Sequence, residues 1–213
     1  MTDESTRVVR AAYTAETVTV YQAYAWPIAD AAVRAGTFVP PFGRHRMTWI
    51  KPSFGWMMHR CGWAAKPGQE RVLAIEVTRA GFEWALAHSC LSHYEAATHD
   101  SHMAWEAMRD CSPVRVQWDP DRSLAGQRLA RRAIQVGLSG EAVHRYCDEW
   151  IHSITDITVT ARNAGELVSA GRVLDAAATL PGERAYPLSS ALARRIGAEP
   201  GNSDPAHAVG GAR

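Results

Sequence analysis

Lysine is nearly missing from this sequence: only Lys51 and Lys66 occur among 213 residues, and arginine supplies the other basic groups. Lys51 is therefore not one of a general surface supply of ammonium groups. Charge of one sign is not in excess either, since 23 Lys and Arg face 22 Asp and Glu for a net charge of +1. That balance excludes a protein that binds nucleic acid by its overall field, so any anion site must be local. No Cys-x-x-Cys pair exists; Cys61, Cys90, Cys111 and Cys147 are spread singly. This spacing excludes a zinc knuckle or a redox dithiol, and in a reducing compartment the four read as small buried hydrophobes. No apolar run approaches the roughly 18 residues that span a membrane. The segment Met1-Thr2-Asp3-Glu4-Ser5 is polar and acidic, unlike a signal peptide, so the expected compartment is the cytoplasm and no membrane partner is expected. There is also no internal repeat.

What is present is ordinary globular material, 46% hydrophobic and 21% charged. It predicts one domain over residues 1–197 and a disordered tail over 198–213, where no apolar period is found. The β-branched run at 17–23 predicts a strand. A helix then opens at Trp26-Pro27 and closes at Gly36. A short strand is expected at 47–50, followed by a helix capped by Ser53 with Phe54, Met57, Met58 and Cys61 on one stripe. Further strands are expected at 71–77, at 114–118 (ended by Asp119-Pro120) and at 133–138. Short helices are expected at 81–87 and 103–109. Val143, Cys147, Trp150, Ile154 and Ile157 recur every three or four residues and predict a helix of about twenty residues, with another over 166–177. The expected class is α+β, with small mixed or antiparallel sheets and flanking helices.

The stretch 40–63 is the chemically distinctive one. It holds Arg44, Arg46, Lys51, Arg60, His45 and His59, interleaved with Trp49, Trp56 and Trp63, and no acidic residue. Arginine forks and the N–H groups of a helix starting at Ser53 suit a phosphate or carboxylate, and a tryptophan face suits a base or a nicotinamide ring. The alternative is a solvated basic rim, with Trp56, Met57 and Met58 in the core. Three polar residues fall where strands should be apolar: Gln22 between Tyr21 and Tyr24, Glu76, and Gln135. Each is either paired, functional or outward-facing, because an unpartnered buried amide or carboxylate costs roughly 1–3 kcal/mol. Ser139-Gly140-Glu141 is either an anion-friendly turn or a helix cap. His88, Cys90, His93, His99 and His102 gather in one window but lack the spacing that places two imidazoles on one helical face, so no metal site is expected.

The segments Val20-Tyr21-Gln22-Ala23-Tyr24, Arg46-Met47-Thr48-Trp49-Ile50-Lys51-Pro52-Ser53-Phe54, Trp56-Met57-Met58, Gly68-Gln69-Glu70-Arg71-Val72-Leu73 and Ile134-Gln135-Val136-Gly137-Leu138 resemble a domain-of-unknown-function family of bacteria and fungi. The order of strand, helix, Ser-bearing block and late polar strand is more distantly similar to the ADP-ribosyltransferase superfamily. That resemblance implies an ADP-ribosyltransferase-like fold with NAD bound in a cleft between two small sheets. It assigns Gln22 to the first catalytic position, Ser53 to the second and Gln135 to the third. An amide at Gln135 cannot supply the negative charge that steadies a ribosyl cation, and Glu141 or Glu76 is the alternative source.

On this reading the leading expectation is a nucleotide-binding transferase with NAD as cofactor, acting on a protein or nucleic-acid acceptor. Arg46, Lys51 and Ser53 would hold the phosphates, and Trp49 or Tyr24 would stack a ring. Gln22 and Gln135 would hydrogen-bond the ribose or the nicotinamide amide, and Glu141 would supply the negative charge. A nucleic-acid-binding or RNA-processing protein using the same basic patch is one alternative. A non-catalytic nucleotide sensor is the other.

Overall fold

The structure is a computed structural model and describes residues 6–199. The chain runs through β1 (Arg10–Ala11), β2 (Thr17–Tyr24), α1 (Trp26–Ala35), β3 (Thr48–Ile50), α2 (Phe54–Cys61) and β4 (Arg71–Thr78). It continues through α3 (Arg79–Ala87), β5 (Ser89–Leu91), α4 (His102–Cys111), β6 (Val114–Arg122) and β7 (Arg128–Leu138). After α5 (Glu141–Arg145) and a π-helical turn (Tyr146–Trp150) come β8 (Ile151–Asp156), α6 (Thr158–Ser169), α7 (Val173–Ala178), β9 (Arg184–Ala185) and α8 (Ser190–Ile196). Among the described residues no helix is long and apolar enough to cross a membrane.

The class is α+β, built from three small sheets with helices around them. β2, β4 and β8 form an antiparallel sheet in the order β2-β4-β8. A second sheet has the order β3-β7-β6-β5, antiparallel except for the β5–β6 pair. β1 and β9 pair separately. Alternate residues of both larger sheets, Val18 and Val20, Ile75 and Val77, Val114 and Val116, Val136 and Leu138, are buried in one shared core, in the period-2 pattern of strands. Tyr21 and Val72, on the other face of the first sheet, join Phe54, Met57, Met58 and Cys61 of α2 in a second cluster. The feature that matters for function is where the sheets meet. Tyr21 in β2 and Lys51 just after β3 exchange backbone hydrogen bonds, Tyr21 N to Lys51 O at 2.7 Å and Lys51 N to Tyr21 O at 3.2 Å. Among the described residues this isolated bridge alone pairs the two strands, and their backbone pairing does not continue toward Tyr24 and Thr48.

Local signals explain the elements that the sequence predicts. Gly36 ends α1 in the left-handed conformation (φ 69°), and Ser53 caps α2 by accepting from Trp56 N. Four expectations are corrected. The helix expected through Ile157 stops at Trp150, and Ile151–Asp156 is instead a strand paired with β4. β6 does not end at Asp119-Pro120 but continues to Arg122 opposite β7. β5 covers only Val114, Val116 and the residue between them, so Pro120 sits where β6 has a free side and its missing N–H is tolerated. β5 itself lies inside the histidine-rich window, where the sequence predicts no strand. The helix expected over 166–177 is two helices, broken where Gly171 takes φ 77°. Of the tail expected to be disordered, Ala198 and Glu199 are held by hydrogen bonds to Ala193 O and Arg7 O; the rest lies outside the described residues.

The π-helical turn places Trp150 directly over Gly81 of α3, and a Cβ at Gly81 would fall within the van der Waals envelope of the indole. A Gly81→Ala variant is expected to lose about 1–3 kcal/mol through overpacking, measured as a lower denaturation midpoint in urea at unchanged m-value.

Candidate functional site

The space beyond the bridge between β2 and β3 is filled by polar side chains. Gln22 is 2% exposed. Its Nε2 donates to Thr48 Oγ1 at 2.7 Å and Tyr24 OH at 2.8 Å, and its Oε1 accepts from Tyr146 OH at 2.8 Å. Tyr24 OH and Thr48 Oγ1 also lie 2.8 Å apart. An amide N carries two hydrogens and each hydroxyl one. The two amide hydrogens are shared among the two hydroxyls and Trp49 O, 3.4 Å away, one hydroxyl donates to the other, and one hydroxyl hydrogen is left over. Burial raises the Tyr24 and Tyr146 hydroxyls well above their ordinary range, so both stay protonated donors.

Above this network lies a cavity of about 270 Å³, lined by Gln22, Tyr24, Arg46, Thr48, Trp49 and Lys51 together with Phe42, Met57 and Gln69. Among the described residues no carboxylate is in its lining. Arg46 is exposed at the rim and makes no hydrogen bond or ion pair with any described residue. Trp49 lies across Gly137, whose missing side chain leaves room for the indole and for Met47; a Cβ there would meet Met47 Sδ at 2.7 Å.

Lys51 is 8% exposed, and its Nζ donates to Trp49 O at 3.1 Å. No carboxylate among the described residues lies within ion-pair distance of it. Burial foremost, and the neighbouring Arg60 guanidinium next, pull its ammonium down from 10.5 to about 8, against weaker opposing effects of Cys61 and Asp119.

Five of the eight expected site residues, Gln22, Tyr24, Arg46, Trp49 and Lys51, thus share one cavity. The other three do not line it. Ser53 lies at a separate cavity of about 240 Å³ with Asp121, Arg122, Arg131 and Glu183. The N–H groups at the start of α2 are taken there: Phe54 N donates to Glu183 Oε1 at 2.5 Å and Trp56 N to Ser53 Oγ at 3.4 Å. A carboxylate from 129 positions along the chain therefore occupies the place expected for a phosphate, using the same helix-end attraction for negative charge. Gln135 is buried on β7 and donates to Asp119 Oδ2 at 2.7 Å, with Gln117 donating to Oδ1 of the same carboxylate. Glu141 is exposed and accepts from Arg145 at 2.7 Å. Glu76 accepts from Ser153 on the neighbouring strand.

The rest of the basic block divides in the same way. Arg44 pairs with Asp148 at 2.7 Å, Arg60 and His59 are exposed, and Trp56, Met57 and Met58 are buried. The sequence reading missed Thr48, Gln69 and Tyr146. Thr48 and Gln69 stand in the same motifs as the expected residues, but Tyr146 reaches Gln22 across 124 positions without any local sign. Among the described residues no three of His, Cys, Asp or Glu are grouped so as to hold a metal ion; His88 stacks on Trp84 and His99 turns back to Glu95 O.

No curated protein matches the chain. A family model described as a domain of unknown function (DUF4291) matches residues 8–186, a span that includes every residue lining the cavity, and the chain belongs to that family.

Proposed function

We propose that the cavity at the meeting of the two sheets binds a nucleotide by its phosphates and that the protein is a nucleotide-dependent transferase. NAD is the nucleotide that the resemblance to ADP-ribosyltransferases supplies. The observation that carries this reading is the lining itself: a guanidinium without a partner among the described residues and a buried amine, three aromatic rings and a spare hydroxyl hydrogen, with no negative side chain among the described residues there. An anion entering meets Arg46 at the rim and Lys51 at the floor. With its pKa at about 8, Lys51 is mostly protonated at pH 7, and a bound phosphate favours that charged form further. Tyr24 or Trp49 offers a face to a base or a nicotinamide. The cavity of about 270 Å³ is slightly smaller than the roughly 300 Å³ at which pockets for drug-sized ligands begin. It therefore takes one phosphate-bearing end of a dinucleotide and leaves the other end on the surface.

Titration calorimetry with NAD, ADP-ribose and nucleoside triphosphates tests the reading. Arg46→Ala should weaken binding by about tenfold to a hundredfold, because a charged hydrogen bond to phosphate contributes roughly 1.5–3 kcal/mol. Its stability should stay within about 0.5 kcal/mol of the parent, since an exposed arginine without a partner among the described residues leaves none of them unpaired. No heat of binding at millimolar ligand would end the proposal. An affinity that falls steeply with salt would indicate an extended phosphodiester backbone as the ligand instead.

A further inference from the structure

We propose that Lys51 is a nucleophile, its Nζ accepting the nucleotidyl group of a phosphoanhydride substrate as a lysyl phosphoramidate. This rests on the nucleotide-binding reading and names the chemistry of the same cavity. No described residue of the lining carries a carboxylate, so none of them supplies the negative charge that would steady a departing ribosyl cation. The reactive group that it does offer is an amine.

Three features suit Lys51 to that task. Its backbone is fixed on both sides by the paired hydrogen bonds to Tyr21, so the side chain starts from a rigid point. Its Nζ makes one hydrogen bond, to a backbone carbonyl, and no ion pair with any described residue, and the Asp119 carboxylate favours its ammonium only weakly. It is desolvated, and Arg60 stands near enough to disfavour its charge, the setting in which lysines serve as nucleophiles. Arg46 on the same cavity is free to hold the phosphates in line.

The Nζ ammonium first gives up one proton to solvent, and the lone pair of the amine so formed makes a bond to the α-phosphorus. The bond from that phosphorus to the bridging anhydride oxygen breaks, and its electron pair leaves on the departing phosphate. A second N–H proton then passes to solvent. A nucleoside triphosphate releases pyrophosphate; NAD, attacked at its adenylate phosphorus, releases nicotinamide mononucleotide.

The experiment incubates the full chain and magnesium ion with a nucleoside triphosphate labelled at the α-phosphorus, and in a second arm with NAD labelled in its adenylate phosphate. Each is followed by a denaturing gel and peptide mass spectrometry, and binding of each ligand is measured in parallel by calorimetry. The expected result is a denaturation-resistant label, labile in acid and stable in alkali, on the peptide containing Lys51, with the released product identifying the source. Lys51→Arg keeps the positive charge and should still bind the nucleotide while losing the label. Binding without label in both arms, or label on a different residue, overturns the covalent proposal and leaves the binding reading standing. Absence of binding in both arms overturns the two together.

Discussion

An Arg71→Met variant should be less stable than the parent by roughly 2–3 kcal/mol, somewhat below the 3–5 kcal/mol of a fully buried broken pair because Asp156 keeps some contact with water. Arg71, at the start of β4, is only 15% exposed in its side chain and holds two acids at once. Its Nε donates to Asp156 Oδ2 at 2.5 Å, its Nη2 to the same oxygen, and its Nη1 to Asp30 Oδ1 at 2.6 Å. The guanidinium also lies 4.5 Å over the ring of Trp26. One side chain thus ties β4, β8 and α1 together, and methionine keeps its bulk while leaving Asp156 facing apolar surroundings. Burial pushes the Asp156 carboxyl up, but the Thr158 hydroxyl and N–H and the Arg71 guanidinium together outweigh it and hold the group below its ordinary value. A depressed carboxylate contributes stability that is present above the unfolded Asp pKa of about 4 and is lost as pH falls through the folded value. The gap between variant and parent in urea midpoint should therefore be widest near neutral pH and shrink in acid. An equal gap at pH 7 and pH 3 would mean that Arg71 acts by packing alone.

The elements that the sequence disclosed are those whose causes are local. The β-branched run of β2, Pro27 and Gly36 around α1, and the Ser53 cap of α2 each carry their reason within a few residues. β8 was illegible because Val143, Cys147, Trp150 and Ile154 keep a helical spacing across a real change of structure. The π-helical turn inserts its extra residue, and the edge of β4, some seventy residues earlier, takes the rest as a partner. Tertiary pairing overrides a periodicity that is merely compatible with a helix. The site divides along the same line. Gln22, Arg46 and Lys51 could be nominated from residue type, since an amide in a strand and cations without acids are unusual wherever they fold. That Ser53 belongs elsewhere depends on Glu183, and that Gln135 serves Asp119 depends on a cross-strand neighbour. Neither partner is adjacent in sequence. The burial of Lys51 follows from the single bridge to Tyr21, a contact that no local pattern announces.

A Lys51→Met variant should be more stable than the parent near pH 7, by about 2–3 kcal/mol, and the advantage should fade as pH rises from 8 to 10.5. The fold lowers this ammonium from 10.5 to about 8, and each factor of ten between the folded and unfolded values corresponds to about 1.4 kcal/mol. The direction is that of a depressed base. Below pH 8 both states carry the proton, and the folded state bears the whole expense of burying it. Between pH 8 and 10.5 the unfolded chain binds more protons than the folded one, so parent stability climbs with pH. Above that window both forms are neutral and the penalty is gone. Methionine never carries it, and loses only the hydrogen bond to Trp49 O, an interaction of roughly 1 kcal/mol. The charged and titratable groups around Nζ are Arg60, Cys61 and Asp119. All three are common to both chains, so the difference in urea midpoint isolates the lysine when measured under reducing conditions at pH 7 and pH 10. The sign is what discriminates between explanations. A lysine kept for packing would leave the variant weaker at both pH values. A lysine whose replacement stabilises the fold is one that the fold tolerates for its chemistry, the trade between stability and activity that reactive buried groups impose.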